Sequence, residues 1–197
     1  MTSDPFRDLK HILLLYISEK SLINLKKRWN EKTRFYHNQN HLIHVLSNIV
    51  NNLWFSSLSR VEKHALLLAA FFHDAIYNPK KNDNEDKSIE LFKICYKGYD
   101  SIMVQKVSEL IETTKHRKKP IVGLQKIFWM ADNGGFFENY DIFLKTENKI
   151  RKEYSHIPSN KYKEVRIKFL ESNLGIFDNP KVDQNIKNLI EYIKKTY

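Results

Sequence analysis

The chain has 197 residues, of which 42% are hydrophobic and 13% aromatic, and its formal net charge is +10. This length suits one domain with a sizeable core, and the composition excludes an intrinsically disordered chain. The excess lysines are scattered and form no zinc-finger, RNA-binding or basic-zipper motif, so we expect them to attract small phosphorylated ligands and not to mark a dedicated nucleic-acid site.

Helix signals punctuate the first half of the chain. Pro5 suits the first position of a helix, and Ser59 with Glu62 forms a capping box. The loop from Asn78 to Asn84 is polar and precedes another helix. The predicted helices run from Ser3 or Asp4 to about Trp29, from Tyr36 to about Phe55, from Ser59 to His73 and Asp74, and from Asn84 to near Gly98.

The second half has similar punctuation and no alternating pattern of strand length. The chain holds 5 Gly and 5 Pro, which leaves little turn chemistry for hairpins. The predicted helices run from Asp100 or Ser101 to His116, from Leu124 to Met130, from about Phe136 to Tyr154, from Ser159 to Leu174, and from Asn179 to the C-terminus. We therefore expect an all-α bundle that forms a single domain over residues 1–197.

Covalent and topological signals indicate a soluble protein. Cys95 is the only cysteine, which excludes an intramolecular disulfide and a thiolate zinc site, and its apolar neighbours predict a small core residue. No apolar run reaches the roughly 18 residues of a membrane helix, and the N-terminal residues lack a secretory pattern. We expect a cytoplasmic protein without a membrane partner.

Two histidine-containing segments carry the chemistry. His37 and His41 are one helical turn apart, so a helix would point both rings to one side. The apolar run 65–72 then ends in His73 and Asp74, which brings an ionisable pair into the core. Such a pair is costly unless a metal or a hydrogen-bond partner compensates it. A divalent metal site and a hydrogen-bonded core histidine are the two interpretations, and the upstream histidine pair favours the metal.

The order of these residues resembles that of the HD superfamily of metal-dependent phosphohydrolases. The shared pattern is His41, then His73 with Asp74, then Asp132, on successive helices. Tyr36–His41 also resembles a helix of the cyclic-nucleotide phosphodiesterases, and a group of predicted HD phosphohydrolases is similar over nearly the full chain. That similarity is carried by Tyr36–His41, Phe72–Tyr77, Asn84 and Glu85 with Ser88, and Arg151–Tyr154.

The chain departs from the resembling families in three respects. Tyr77 stands where the phosphodiesterases have a further histidine. Their glutamine-and-aromatic clamp for the base is not identifiable, so cyclic-nucleotide specificity does not carry over. Asn133 follows Asp132 where the predicted phosphohydrolases have a leucine. The resemblance therefore implies an HD-type helical bundle and leaves Asp132 as the weakest of the implied ligands.

The resemblance implies four metal ligands from three helices: His41, His73, Asp74 and Asp132. Their nitrogen and oxygen donors suit a divalent ion of Mn, Fe, Co, Ni, Zn or Mg, with one or two ions bound. Such an ion would activate water and polarise a phosphoryl oxygen. His37 would protonate the leaving group as general acid, and the alternative is a helix histidine without chemistry.

Further site residues are each open to two interpretations. Glu85 would orient water or bind a second metal, or it is an acid favoured by the helix dipole. Lys115 and His116 would meet the substrate phosphate, or they only satisfy a helix C-terminus. Tyr36 and Asn38 would contact the substrate or orient the metal ligands.

Other titratable residues are expected to be structural. Arg151 and Arg166 are candidates for phosphate contact or for internal ion pairs with Glu153 and Glu164, and we favour the ion pairs. Four histidines away from the predicted site are expected to be partly exposed: His11, His44, His64 and His156.

The pattern as a whole predicts a metal-dependent hydrolase of a small phosphate ester, with a nucleotide as the favoured substrate. The alternative is a metal-containing nucleotide-binding or signalling module without turnover, and a nucleic-acid-binding bundle is a third option. His37 and Glu85 favour the enzyme, because simple metal storage needs neither. The sequence does not fix the substrate, the metal or the oligomeric state.

Overall fold

A computed structural model describes residues 4–115 and 122–197, and this part of the chain is helical, which confirms the predicted all-α fold. The chain divides into two compact units, Met1–Asn133 and Gly134–Tyr197. The single domain over residues 1–197 stays a prediction.

The first unit contains eight of the described α-helices. They are α1 (Pro5–Asp8), α2 (Lys10–Tyr16), α3 (Glu19–Trp29), α4 (Gln39–Val50), α5 (Arg60–Phe72), α6 (Asn84–Cys95), α7 (Ser101–Glu112) and α8 (Gly123–Asp132). Short 3₁₀ turns follow α4 at Phe55–Ser57, α7 at Thr113–Lys115 and α8 at Asn133–Phe137. The elements after residue 58 lie close to their predicted bounds.

The N-terminal region differs from its prediction, because three helices replace the one expected from residue 4 to Trp29. The chain is extended at Ile17 (φ −130°, ψ 161°), which forms an antiparallel bridge with Tyr96. Ser18 then caps α3 by accepting a hydrogen bond from the Ser21 amide. A contact distant in sequence and a local cap therefore outweigh the continuous helical pattern.

The second predicted helix begins later than expected. α4 starts at Gln39 because Asn38 is its N-cap, with an extended backbone and a side-chain oxygen 2.9 Å from the Asn40 amide. The expectation that a helix starts at Tyr36 is wrong, and so is the placement of His37 one helical turn before His41. His37 lies in the loop before the cap.

The central element of the first unit is α5. Its capping box is present as predicted: the Ser59 hydroxyl accepts from the Glu62 amide, and the Glu62 carboxylate accepts from the Ser59 amide. The run 65–72 is buried on all sides, which confirms the apolar pattern. Burying a side chain such as Phe71 contributes about 1.5–3 kcal/mol, so this helix anchors the core. α5 packs on α4, α7 and α8, and α4 also packs on α8.

The exposure of three histidines and of Cys95 in the first unit can be compared with the predictions. His64 was expected to be partly exposed, but it is buried and its Nδ1 lies 2.7 Å from the Tyr16 hydroxyl. His44 is partly exposed and His11 is exposed, as predicted. Cys95 is partly buried against the hydrophobic core.

The second unit contains α9 (Tyr140–Glu153), α10 (Ser159–Glu171) and α11 (Pro180–Thr196). α10 ends at Glu171, before the predicted Leu174, and Gly175 adopts a positive φ of 73° in the following turn. α11 packs on both α9 and α10, and Phe136, Phe143 and Phe177 form a cluster of rings in this unit.

The arginines of the second unit are structural, but their contacts differ from the predicted pairs. Arg166 Nε lies 2.8 Å from Glu147 Oε2, whereas Glu164 pairs with Lys168. Arg151 donates to the backbone oxygens of Tyr154 and Ile157 at 2.7 and 3.2 Å. Spacing along the helices pointed to near neighbours, and packing between α9 and α10 selects a carboxylate that is distant in sequence.

Candidate metal centre

Three helix ends of the first unit bring the predicted metal ligands together. His41 lies in the first turn of α4, His73 is the C-cap of α5 with Asp74 directly after it, and Asp132 is the last residue of α8. His41 and His73 are buried, at 6% and 1% exposure. The side chains of Asp74 and Asp132 are 15% and 9% exposed, so one side of the cluster reaches solvent through the carboxylates.

The donor atoms of His41, His73 and Asp132 converge, and the Asp74 carboxylate lies against the two histidines of this group. His41 Nε2 lies 3.3 Å from His73 Nε2 and 3.2 Å from Asp132 Oδ1. Asp74 Oδ2 lies 3.2 Å from His73 Nε2 and 3.7 Å from His41 Nε2. His73 Nε2 lies 3.5 Å from Asp132 Oδ1. His41, His73 and Asp132 form a group whose donor atoms all lie within 4.8 Å of one another.

These spacings fit a divalent cation. Donors about 2.1 Å from an ion are about 3.0 Å apart in an octahedron and about 3.4 Å apart in a tetrahedron. The donor separations of 3.2–3.7 Å lie close to both values. A mixed set of imidazole nitrogens and carboxylate oxygens suits first-row divalent metals. His41, His73 and Asp132 therefore fit a divalent ion, and Asp74 lies close enough to both histidines to be a further candidate ligand.

A hydrogen bond explains why the Nε2 atom of His73 faces the other predicted ligands. The Ala70 carbonyl oxygen accepts a hydrogen bond from His73 Nδ1 at 2.9 Å. This bond places the proton on Nδ1 in the neutral ring, so the lone pair of Nε2 faces the cluster. α8 is held in a comparable way, because the Asn48 side-chain amide of α4 donates to the Ala131 oxygen at 3.0 Å.

The two histidines respond oppositely to this environment. Burial lowers the pKa of His41, although hydrogen bonding to Asp132 opposes the effect. Burial would lower the pKa of His73 too, but the carboxylates of Asp74 and Asp132 outweigh it and raise that pKa to about 9. The metal-free protein thus holds a proton on His73.

Asp74 stays ionised in this cluster. Burial would raise the pKa of its carboxyl, but the adjacent charge and hydrogen bond of His73 hold that pKa far below its usual range. His37 and His41 act in the same direction through their charge. A carboxylate that remains ionised at every physiological pH is a competent ligand for a cation.

His37 lies beside the cluster without sharing its helix. Its ring centroid is 5.7 Å from that of His41, and it stacks on Tyr77 with centroids 4.2 Å apart. Tyr36 contacts both histidine rings, at 4.8 Å from His37 and 4.9 Å from His41. The structure therefore brings His37 and Tyr36 to the candidate site, with Tyr77 in addition, and all three side chains are partly exposed.

Asn38 has a structural function in this region. Its side-chain oxygen caps α4, and its amide nitrogen donates to the oxygens of Arg34 and Phe35 at 3.2 and 3.0 Å. Both the oxygen and the nitrogen of the side-chain amide therefore form hydrogen bonds with the backbone. These bonds fix the loop before α4, and the hypothesis that Asn38 contacts the substrate or orients the metal ligands stays a prediction.

The predicted residues on α6 and after α7 have their own surroundings. Glu85 is partly exposed in the first turn of α6. Lys115 Nζ lies 2.7 Å from Asp86 and 2.7 Å from Glu112, so two carboxylates neutralise its charge. His116 and the basic residues that follow it lie outside the described residues.

Sequence reasoning missed Arg34 and Trp29. Arg34 is 5% exposed and donates to the backbone oxygen of Asp74, and the Trp29 indole donates to the Phe71 oxygen at 2.8 Å. The signal available in the sequence was an arginine close to a histidine-rich segment. Its partners are about forty residues away, so spacing along the chain did not reveal them.

No protein-family model, no curated protein and no solved structure matches this chain. Within residues 4–115 and 122–197, the helices are all too short or too polar to cross a bilayer. The chemistry of the candidate site is therefore inferred from its own donor atoms and their surroundings.

Proposed function

We propose that this protein is a metal-dependent phosphohydrolase that acts on a small phosphate ester, with a nucleotide as the favoured substrate. The observation that carries the proposal is the convergence of His41, His73 and Asp132 at donor separations of 3.2–3.5 Å, with Asp74 Oδ2 3.2 Å from His73 Nε2. The same residues carried the sequence resemblance to the HD superfamily, and helices distant in sequence bring them together.

The four ligands would hold one divalent ion at the solvent-facing side of a buried cluster. When bound, such an ion provides a water nucleophile near neutral pH and withdraws charge from a phosphoryl oxygen. The protein residues keep the donor atoms in place before binding: His73 through Ala70, and the end of α8 through Asn48. This preorganisation reduces the entropy cost of binding.

His37 would donate the proton to the leaving oxygen when the bond from phosphorus to that oxygen breaks. Its ring lies close to the His41 ligand but stacks on Tyr77, and it is partly exposed. A histidine is suited to this step because its unperturbed pKa lies near 6.5. Water supplies the oxygen that forms the new bond to phosphorus, and the proton on His37 is replaced from solvent.

The charge of the chain supports an anionic substrate. The formal net charge is +10, which attracts phosphorylated ligands over long range. Lys115 is a weaker candidate for phosphate contact than the sequence suggested, because Asp86 and Glu112 already pair with its ammonium group. Glu85 remains the candidate for orienting water near the site.

The decisive experiment measures hydrolysis of nucleotides and small phosphate esters after loading the protein with each of Mn²⁺, Fe²⁺, Co²⁺, Ni²⁺, Zn²⁺ and Mg²⁺. The proposal expects release of phosphate or nucleotide with at least one metal, and its loss in an Asp132→Ala variant. Metal binding without hydrolysis of any compound would instead support a metal-containing binding or signalling module. Absence of metal binding would overturn both.

A further inference from the structure

Arg34 is a buried cation in the loop between α3 and α4. Its side chain is 1% exposed, and its Nε lies 2.9 Å from the Glu31 carboxylate, whose side chain is 42% exposed. A buried guanidinium is costly unless hydrogen bonds and an opposite charge compensate it. Glu31 provides the charge, and the remaining donors of Arg34 are directed at the backbone.

The guanidinium joins two segments of the candidate site. Its Nη1 donates to the backbone oxygens of Asp74 and His37, at 2.5 and 3.3 Å. Its Nη2 donates to the Ala75 oxygen at 3.2 Å. One side chain therefore links the turn that carries a predicted metal ligand with the loop that carries the predicted general acid.

The location at the end of α5 also has an electrostatic consequence. The last carbonyl groups of a helix lack partners within the helix and carry partial negative charge. In α5 these carbonyls have other partners: the Phe71 oxygen accepts from the Trp29 indole at 2.8 Å, and the Phe72 oxygen accepts from the Ala75 amide at 3.0 Å. Arg34 binds the carbonyls of Asp74 and Ala75, which lie beyond the C-cap His73, so its charge lies near the helix C-terminus and interacts favourably with the helix dipole.

Aromatic rings surround the same guanidinium. Its central carbon lies 5.8 Å from the Trp29 ring centroid and 5.6 Å from that of Tyr77. Tyr77 in turn stacks on His37. A planar guanidinium suits such contacts and can donate in several fixed directions, whereas a lysine ammonium offers neither property.

We propose that Arg34 is a positioning residue that fixes the His37 loop relative to the Asp74 turn. The roles of His37 as general acid and of Asp74 as metal ligand rest on the proposed function. The coupling of their two segments through Arg34 does not. Loss of the guanidinium fork would let both segments move, and they would loosen together. Substituting a residue that only stabilises the fold would not loosen these two segments selectively.

The chain offers a matched control in the second unit. Arg166 is also a mostly buried arginine paired with a carboxylate, Glu147, and its side chain is 13% exposed. Arg34→Lys and Arg166→Lys make the same chemical change at a mostly buried arginine that pairs with a carboxylate. They differ in that Arg34 also donates to the backbone oxygens of two segments of the candidate site.

The first measurement is hydrogen exchange of the metal-free full chain. Arg34→Lys should speed exchange in the segments 35–41 and 73–77 together, with the rest of α5 little changed. Arg166→Lys should leave both segments at the wild-type rate. Equal protection of the two segments in wild type and Arg34→Lys would overturn the proposal, as would loosening of one segment alone.

The second measurement is the affinity for Mn²⁺, by calorimetric titration. Residues that orient metal ligands typically contribute 10–100-fold to metal affinity. Arg34→Lys should therefore weaken Mn²⁺ binding by about that factor, and Arg166→Lys should not. Equal weakening in both variants would indicate general destabilisation and overturn the positioning role.

A third variant covers the case in which Arg34→Lys does not fold. Glu31→Gln keeps a hydrogen-bond acceptor for Arg34 and changes a partly exposed residue, so the fold should persist. It should loosen 35–41 and 73–77 in the same direction but less. Failure of phosphohydrolysis alone would leave the exchange result intact, so the two proposals can fail separately.

Discussion

Two buried charged clusters in this molecule solve the same physical problem in different ways. In the second unit, Glu147 is fully buried, and each carboxylate oxygen has a donor: Tyr162 at 2.6 Å and Arg166 at 2.8 Å. In the first unit, the imidazole nitrogens of two histidines lie near two carboxylates and near each other, at longer separations of 3.2–3.5 Å. The protein supplies the cation for Glu147 from its own chain.

The difference teaches how a structural cluster is distinguished from a candidate metal site. Around Glu147 the guanidinium donates and the carboxylate accepts, so the charges match within the chain. Around His73 burial would lower the pKa of the ring, but the carboxylates of Asp74 and Asp132 raise it to about 9 and so favour a proton on His73. A divalent cation can replace that proton, whereas it has no comparable place beside Arg166.

The largest expected effect is on metal content. Asp74→Ala removes one of four proposed ligands and should weaken metal affinity by more than the roughly 10–100-fold typical of residues that only orient ligands, so that metal is lost on purification. Tyr162→Phe is the matched change in the other cluster. It leaves a buried carboxylate oxygen without its donor and should lower the free energy of unfolding by about 1–3 kcal/mol.

Metal analysis and thermal unfolding of both variants separate the two clusters. Asp74→Ala should lose metal, and Tyr162→Phe should lose stability while it keeps its metal. Equal metal content in Asp74→Ala and the wild type would contradict the assignment of the ligands.

The second prediction concerns His37. His37→Ala should lower kcat by roughly 10²–10⁴-fold, because protonation of the leaving oxygen is lost. Metal content should stay intact, since the ring stacks on Tyr77 beside the cluster. A nitrophenyl ester, whose leaving group needs little protonation, should be much less affected. Loss of metal in this variant would move His37 into the ligand set.

The third prediction is a pH dependence of metal affinity. Below pH about 9, His73 carries a proton that a metal must displace from Nε2, whereas Asp74 is already ionised. Affinity for Mn²⁺ should therefore rise with pH, by roughly tenfold per unit for one displaced proton, and level off as pH passes the pKa of His73. Calorimetry in buffers with different ionisation enthalpies measures the released proton directly, and binding without proton release would contradict displacement of the His73 proton as the cause.

The smallest expected effect is that of Lys115. Because two partly exposed carboxylates pair with its ammonium group, Lys115→Met should lower the free energy of unfolding by about 1 kcal/mol or less. KM for a phosphate ester should change little. Steady-state kinetics at two salt concentrations test this expectation, and a several-fold, salt-sensitive rise in KM would restore Lys115 as a phosphate contact.

Much of the fold was predictable because its signals are local. The capping box of Ser59 and Glu62 and the apolar run 65–72 specify α5, and Asn179 with Pro180 specifies the start of α11. The break at Ile17 was missed because its cause is a bridge to Tyr96, almost eighty residues away. Local propensity does not contain that information.

The candidate site was predictable to a similar extent. His73 and Asp74 were noticeable because an ionisable pair ends a buried helix, and Asp132 converges with His41 and His73 even though Asn133 departs from the resembling pattern. The error at His37 arose from a helical pattern that ignored the capping ability of Asn38. Arg34 was missed because its role depends on backbone atoms, which carry no sequence signal.

The hydrogen bond from the Trp29 indole to the Phe71 oxygen holds a fluorescent ring next to the candidate site. The Trp29 ring is fully buried, and its centroid lies 5.5 Å from that of the His73 ring. A paramagnetic ion such as Mn²⁺ or Co²⁺ at His73 would quench the fluorescence of this indole at short range. Trp54 is 69% exposed and contributes a signal that water-soluble quenchers remove, and a Trp129→Phe variant removes the signal of the third tryptophan, which is 3% exposed. Occupancy of the cluster can then be followed through Trp29 without a label.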